Sequence, residues 1–362
     1  HGEGYLYPHA YRDHWTAQQY LPDALQGKVF YHPSGQGYEK GISLTVNQRR
    51  EAQLAAMVEG GIAAPREVLT FSPEDRVRDR WLQRAINQNG TNLAGVRDRI
   101  LAAAKIERHG IVLDLKAGTG LLTWEAVRRT PEGSVWALAE DEQTATGLRA
   151  QALKLNEMDR PVIMAGPLEK IRELVSSKGE GRVRFDALVG RNVLLSIHDK
   201  GAAVEAMAQV LAPEGIISMV EGFPRGGQRI YDLVDRQGLD RNLVERWIAA
   251  EETIYEDSDD PMVNWTQDDL TRAFDRAGLL TGHFHVEQTA IEILVTDPVL
   301  SRWFPEAHEA LDTPVRPSYR ERLAALLTPD QVDQIRRYIT ERLAGKQIRW
   351  ITESIHVVAN RK

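Results

Sequence analysis

The sequence predicts a doubly wound α/β domain over residues 90–362, behind an irregular N-terminal segment. Three observations carry that expectation. Five short, nearly continuous apolar runs (Ile111–Leu115, Val135–Ala139, Val162–Met164, Phe185–Val189 and Ile216–Val220) have the composition of strands buried on both faces of a parallel sheet. Helical stretches fall between them, near 121–129, 142–156, 167–177 and 200–211. Two late β-rich segments, His283–Val295 and Ile348–Ala359, follow, separated by about fifty residues of helical pattern. Ligands of such sheets sit at the carboxyl ends of the strands.

Along the chain, residues 1–42 are crowded with Tyr, Pro, His and Gly in short irregular pieces such as Tyr7-Pro8-His9 and His32-Pro33-Ser34-Gly35. That composition suits a loop-rich segment with few regular elements, packing on another surface through Tyr5, Tyr7, Trp15 and Tyr20. Residues 43–89 read as linker and helices. A helix over about Val46 to Gly60 precedes the breaker run Gly60-Gly61 to Pro65. A second begins at Ser72-Pro73-Glu74-Asp75, with Ser as N-cap, Pro at the first position and acids in the first turn. Its Arg76, Arg80 and Arg84 are balanced by Glu74, Asp75 and Asp79, as on a solvated face. Beyond 222, helices around 227–250 lead to an acidic stretch, Glu251–Asp260, which reads as solvated loop, and then to a helix capped by Thr266.

Composition narrows the function classes. With 42% hydrophobic and 27% charged residues, the 362-residue chain has the make-up of a soluble protein with a sizeable core. No run approaches the roughly 18 apolar residues of a membrane span, and the polar start His1-Gly2-Glu3-Gly4 is not a signal peptide. The absence of cysteine excludes disulfides and thiolate chemistry and fits a cytoplasmic setting. A net charge of −7 argues against broad nucleic-acid binding by this stretch alone. The missing initiator Met leads us to expect a piece of a longer product.

The chemistry-bearing segment is Asp114-Leu115-Lys116-Ala117-Gly118-Thr119-Gly120, which follows the first strand and opens a helix. Gly118 and Gly120 let backbone approach a ligand, and the turn into a helix offers unpaired N–H groups. It is not a P-loop, since no Gly-Lys-Ser/Thr follows.

On these residues the chain resembles the class I S-adenosylmethionine-dependent methyltransferases over residues 90–362, whose sheet is the seven-stranded, Rossmann-like one. The resemblance implies a mixed sheet with Ile111–Leu115 central and the two late β-rich segments as its closing antiparallel hairpin. The family's first loop reads acid-x-Gly-x-Gly-x-Gly, matched here by Asp114, Lys116, Gly118 and Gly120. The resemblance implies that Asp114, Lys116, Ala117, Gly118, Thr119 and Gly120 face the methionine part of S-adenosylmethionine. It also implies that Phe185–Val189, with Asn192 to His198, is the strand and loop where the methyl group meets its acceptor. Three positions depart from the pattern. Lys116 replaces the first Gly. Ala139 stands where an acid holds the ribose hydroxyls, with Glu140 and Asp141 just beyond. Pro167 stands where an Asp approaches the adenine, with Glu169 two residues on. Each departure alone is tolerable; together they weaken the expected cofactor binding.

Acceptor signals are thin, and no residue is assigned a catalytic role. The Asn/Asp-Pro-Pro-Tyr/Phe motif is absent. His198 and Asp199 read as base and orienter or, more simply, as a loop residue and a helix cap. Glu221 reads as a ligand-side acid or as a loop-bonding one. His283 and His285 share a strand face without a third ligand, so no metal site is expected.

A second resemblance lies at the N-terminus. Gly4-Tyr5-Leu6-Tyr7-Pro8-His9, Gln18-Gln19-Tyr20-Leu21-Pro22, Phe30-Tyr31-His32-Pro33-Ser34 and Gly37-Tyr38-Glu39 resemble the extreme C-terminus of the replication-associated recombination protein A family (RarA, also MgsA), which are AAA+ ATPases. The resemblance implies a fusion, with the ATPase core and oligomerisation region upstream of His1. The partner is then that upstream region, and DNA, in replication or recombination, is met only through the full-length protein. Two functions follow: a methyltransferase acting beside the ATPase, or a degenerate fold serving as its non-catalytic interaction or regulatory module. A third, further back, is another adenine or phosphate ligand paired by Lys116.

Overall fold

The computed structural model describes residues 93–153, 155–178, 183–305 and 318–361. The N-terminal segment with its aromatic contacts, the helix over Val46–Gly60 and the Ser72-capped helix lie outside the described residues.

Seven strands form one sheet: β1 (Ile111–Asp114), β2 (Ser134–Ala139), β3 (Val162–Ala165), β4 (Phe185–Arg191), β5 (Leu211–Gly222), β6 (Leu279–Leu294) and β7 (Gln347–Arg361). Their order is β3-β2-β1-β4-β5-β7-β6. The first five are parallel, in the register Val112↔Val135, Val112↔Ala187, Ala137↔Ile163 and Leu188↔Ile217. β7 runs against β5, since Arg361 reaches the Leu211 carbonyl while Ser218 meets His356. β6 runs against β7, since the Val295 N–H donates to the Lys346 carbonyl while the Thr352 hydroxyl donates to the Thr289 carbonyl. The expected seven-stranded mixed sheet is therefore present, with β1 interior and the last strand antiparallel. Chain direction across the sheet reverses between β1 and β4, so the loops after them part and leave a crevice.

Helices follow the strands. α1 occupies 93–103, and α2 (Thr123–Arg129), α3 (Glu142–Ala152), α4 (Ile171–Ser177) and α5 (Lys200–Val210) lie between β1 and β5. Element bounds differ from expectation in places: β6 begins at Leu279 rather than His283, and the helix expected around 227–250 runs over Arg241–Glu256. β5 begins at Leu211 rather than Ile216, because Leu211 pairs with Phe185 before a register shift restores pairing at Ala187↔Ile216. The bulge absorbs the Pro213-Glu214-Gly215 turn signal without ending the strand.

The described chain divides into two compact units. The first holds the residues up to Glu221, Asp268–His285 and those from His356 on; the second holds Gly222–Gln267 and Val286–Ile355. In the first unit Ile100 and Leu101 of α1, with Ala104 just past its end, pack on Val112, Val135, Ala187 and Val189. Ala145, Leu148 and Ala152 of α3 pack on Ala137, Ala139 and Ile163. Alternate residues Leu113, Trp136, Leu138 and Leu188 point to the opposite face and are buried too. That two-sided burial is why these strands read as continuous apolar runs.

The second unit has its own core. α6 (Arg241–Glu256) and α10 (Pro329–Leu343) bring Leu243, Trp247, Ile335 and Ile339 together, with α8 (Asp297–Trp303) and α9 (Tyr319–Ala324) adding Leu300 and Leu323. Asp240 caps α6 through the Leu243 N–H, and Thr328 with Gln331 forms a capping box on α10. The acidic stretch is not a solvated loop. α6 continues to Glu256, and Glu251 is fully buried, accepting the Ile230 and Tyr231 N–H groups and the Tyr319 hydroxyl. Asp257 and Asp260 pair with Arg322 at 2.9 Å each. No helix among the described residues is long and apolar enough to cross a membrane.

Candidate functional site

The carboxyl ends of β1, β2, β4 and β5 carry the polar residues that the sequence singles out. Asp114 closes β1 with its carboxylate fully buried. It accepts the Thr123 hydroxyl at 2.7 Å and the Lys116 N–H at 3.2 Å, tying the loop to the first residue of α2. Burial pushes its pKa up to about 6, and those bonds oppose the rise without cancelling it.

The loop backbone is largely occupied. Leu115 N–H bonds Val189, Ala117 N–H bonds Leu138 and Gly120 N–H closes a turn on Ala117. The N–H groups of Gly118 and Thr119 have no partner among the described residues. Gly118 is exposed at φ +49°, and a Cβ built there would meet nothing within 4 Å. Gly120 differs. Its φ of +92° favours glycine, and a Cβ there would lie 2.0 Å from the Trp124 indole nitrogen. Trp124, which also donates to the Thr119 carbonyl at 3.3 Å, covers that side of the loop. Gly120 is thus required by an intramolecular contact, and the open part of the loop is Gly118-Thr119.

Lys116 reaches from the loop after β1 to the end of β2. Its Nζ lies 2.6 Å from Glu140 Oε1, and its charge also acts on Glu221. Ala139, at the expected acid position, is fully buried among the α3 alanines, so no acid fits there. Glu140 follows the end of β2 and reaches the loop. Asp141 is not gathered into this cluster: it is the N-cap of α3, accepting the Thr144 N–H at 2.7 Å, and that bond holds its carboxyl below the usual range. Pro167 and Glu169 are exposed.

On the acceptor side Asn192 follows β4 at φ +54°, its N–H on the Val220 carbonyl at 2.8 Å. Asn tolerates that left-handed conformation better than most residues, which lets the chain turn sharply off the strand. Glu221 is fully buried and accepts the Val193 and Leu194 N–H groups at 2.8 and 3.0 Å. Burial pushes its pKa up to about 7, against those two bonds and the Lys116 charge. Of its two sequence readings, the loop-bonding one describes it. Asp199 likewise caps α5 through the Ala202 N–H at 2.9 Å, and His198 is exposed.

Elsewhere His283 stacks on His285 at 5.6 Å and meets His356 edge-on. Among the described residues no cluster of His, Asp or Glu is arranged to hold a metal ion. The Lys116–Glu140 pair had no sequence signal, because an ion pair between two loops follows no spacing rule. The Glu221 bonds to the 193–194 backbone were equally hidden.

Comparison with known proteins bears on two parts of the chain. Residues 1–50 match the family described as MgsA AAA+ ATPase C terminal. No curated protein matches the sequence. Among solved structures, the chain is similar to a candidate methyltransferase from Bacillus halodurans C-125 (13% identity, 73% of this chain and 97% of that one, TM-score 0.43). It is similar to a candidate sarcosine dimethylglycine methyltransferase from Galdieria sulphuraria (14%, 86% and 98%, 0.43). It is also similar to a geranyl diphosphate methyltransferase in complex with SAM (13%, 80% and 93%, 0.40). At identities this low they say nothing about the side chains of the site.

Proposed function

We propose that residues 90–362 form an S-adenosylmethionine-binding, methyltransferase-like domain carried behind the C-terminal segment of a RarA/MgsA-type ATPase. The observation that supports this most is the state of the loop. Gly118 stands open, two adjoining N–H groups are unpaired, and Glu140 lies at the loop with no partner but Lys116 among the described residues. Those donors suit the polar end of the cofactor and that carboxylate suits a ribose. Bound there, S-adenosylmethionine would supply an electrophilic methyl group. Asp114, fixed by Thr123 and Lys116, keeps the loop in shape. Asn192 and Glu221 set the course of the β4 loop, where an acceptor would approach.

Binding is expected to be weak. The adenine has no acid at 167, and losing one charged hydrogen bond costs about 1.5–3 kcal/mol, or roughly ten- to a hundredfold in affinity. A second reading, a non-catalytic docking or regulatory module, is favoured by a different observation: Asp199 and Glu221 are both committed to backbone N–H groups. In either case the partner is the upstream ATPase region, and DNA is met through the full-length protein.

Thermal denaturation of the 362-residue chain with millimolar S-adenosylmethionine or S-adenosylhomocysteine tests the first reading. Ligand at about a hundred times its Kd stabilises by about 2.7 kcal/mol, a shift of several degrees. Gly118→Val should abolish the shift. No shift for the unaltered chain leaves the docking module as the better account.

A further inference from the structure

We propose that Lys116 is a positioning residue that recruits Glu140 into the site, so that two departures from the methyltransferase pattern work as one device. This deepens the site assigned above and rests on it. The acid normally sought at the end of β2 has no room: Ala139 is fully buried against Ala145 and Leu148 of α3. The next residue, Glu140, lies past the strand with its side chain 63% exposed, where a carboxylate ordinarily turns to water. One partner holds it among the described residues, the Lys116 ammonium at 2.6 Å. Lys116 is fixed at its root, its N–H on buried Asp114, and its side chain is only 23% exposed. A glycine at 116 would leave Glu140 untethered. The pair closes on Oε1, and the carboxylate has no partner other than Lys116 among the described residues; the chemistry that fits a carboxylate held at this strand end is a vicinal diol.

Calorimetric titration of S-adenosylhomocysteine and its 2′-deoxyribose analogue into the full chain tests this. The unaltered chain should prefer the ribose form. Lys116→Met and Glu140→Gln should each weaken it about tenfold and erase the preference. The double variant should be no worse than either single one, because the two residues act as a unit. Lys116→Arg should restore most of the affinity, which a purely steric role for the side chain would not require. Tighter binding by Lys116→Met would make Lys116 an obstruction and overturn the proposal, as would additive effects. If neither ligand binds any form, the site assignment itself fails and this proposal with it.

Discussion

Three buried carboxylates set the pH behaviour at the residue scale. Folding raises Asp114 from 3.8 to about 6, and Glu221 and Glu251 from 4.5 to about 7, in each case chiefly through burial. Between the unfolded and folded values the folded chain holds more protons than the unfolded one. Each group's contribution to stability therefore falls as pH rises through that window, and is level above it. Urea unfolding at a series of pH values should show the stability of the unaltered chain, relative to Glu221→Gln, declining from about pH 4.5 to about pH 7. A difference that rises with pH across that range would contradict the assignment. The substitution should also cost about 1–3 kcal/mol near neutrality, since one amide oxygen cannot satisfy both the Val193 and Leu194 N–H groups.

Two contacts decide matters at the scale of elements. The loop after β1 and helix α2 are joined by the Trp124 indole over Gly120. Gly120→Ala should destabilise by about 1–3 kcal/mol through overpacking, with an added cost for the positive φ. Adding Trp124→Ala should relieve the packing part and leave the backbone part. Chemical denaturation of the single and double variants separates the two, and identical losses would dismiss the indole contact. On α10, the Thr328 hydroxyl accepts the Gln331 N–H and the Gln331 side-chain oxygen accepts the Thr328 N–H. Thr328→Ala should cost about 1 kcal/mol, read from the same unfolding curves.

In the whole molecule each compact unit has its own core. Trp247 is fully buried in the second, and its indole N–H donates to Tyr319 at 2.7 Å. Trp247→Ala should cost that unit about 3–5 kcal/mol. Native-state hydrogen exchange should then show protection lost first in α6 and α10, while Val112 and Leu113 of β1 keep theirs. Equal loss in both places would mean that the two cores unfold as one.

What the sequence by itself determined is whatever local patterning dictates. The five strands buried on both faces were visible as apolar runs, the Asp114–Gly120 turn as glycines between strand and helix, and the Asp199 cap as an acid ahead of a helical stretch. β6 and β7 were legible as late β-rich segments, and their antiparallel pairing came from the family resemblance rather than from burial on both faces. Tertiary structure alone decided which polar groups meet. Glu251 belongs by composition to a solvated acidic run, yet it is buried because α6 continues past it and Tyr319 arrives from a distant helix. Glu140 becomes a neighbour of Lys116 only because β1 and β2 lie side by side in register and β2 ends at Ala139. Periodicity records how each element meets its own core, whereas the partners of a charge depend on which strand ends the folded sheet sets next to each other.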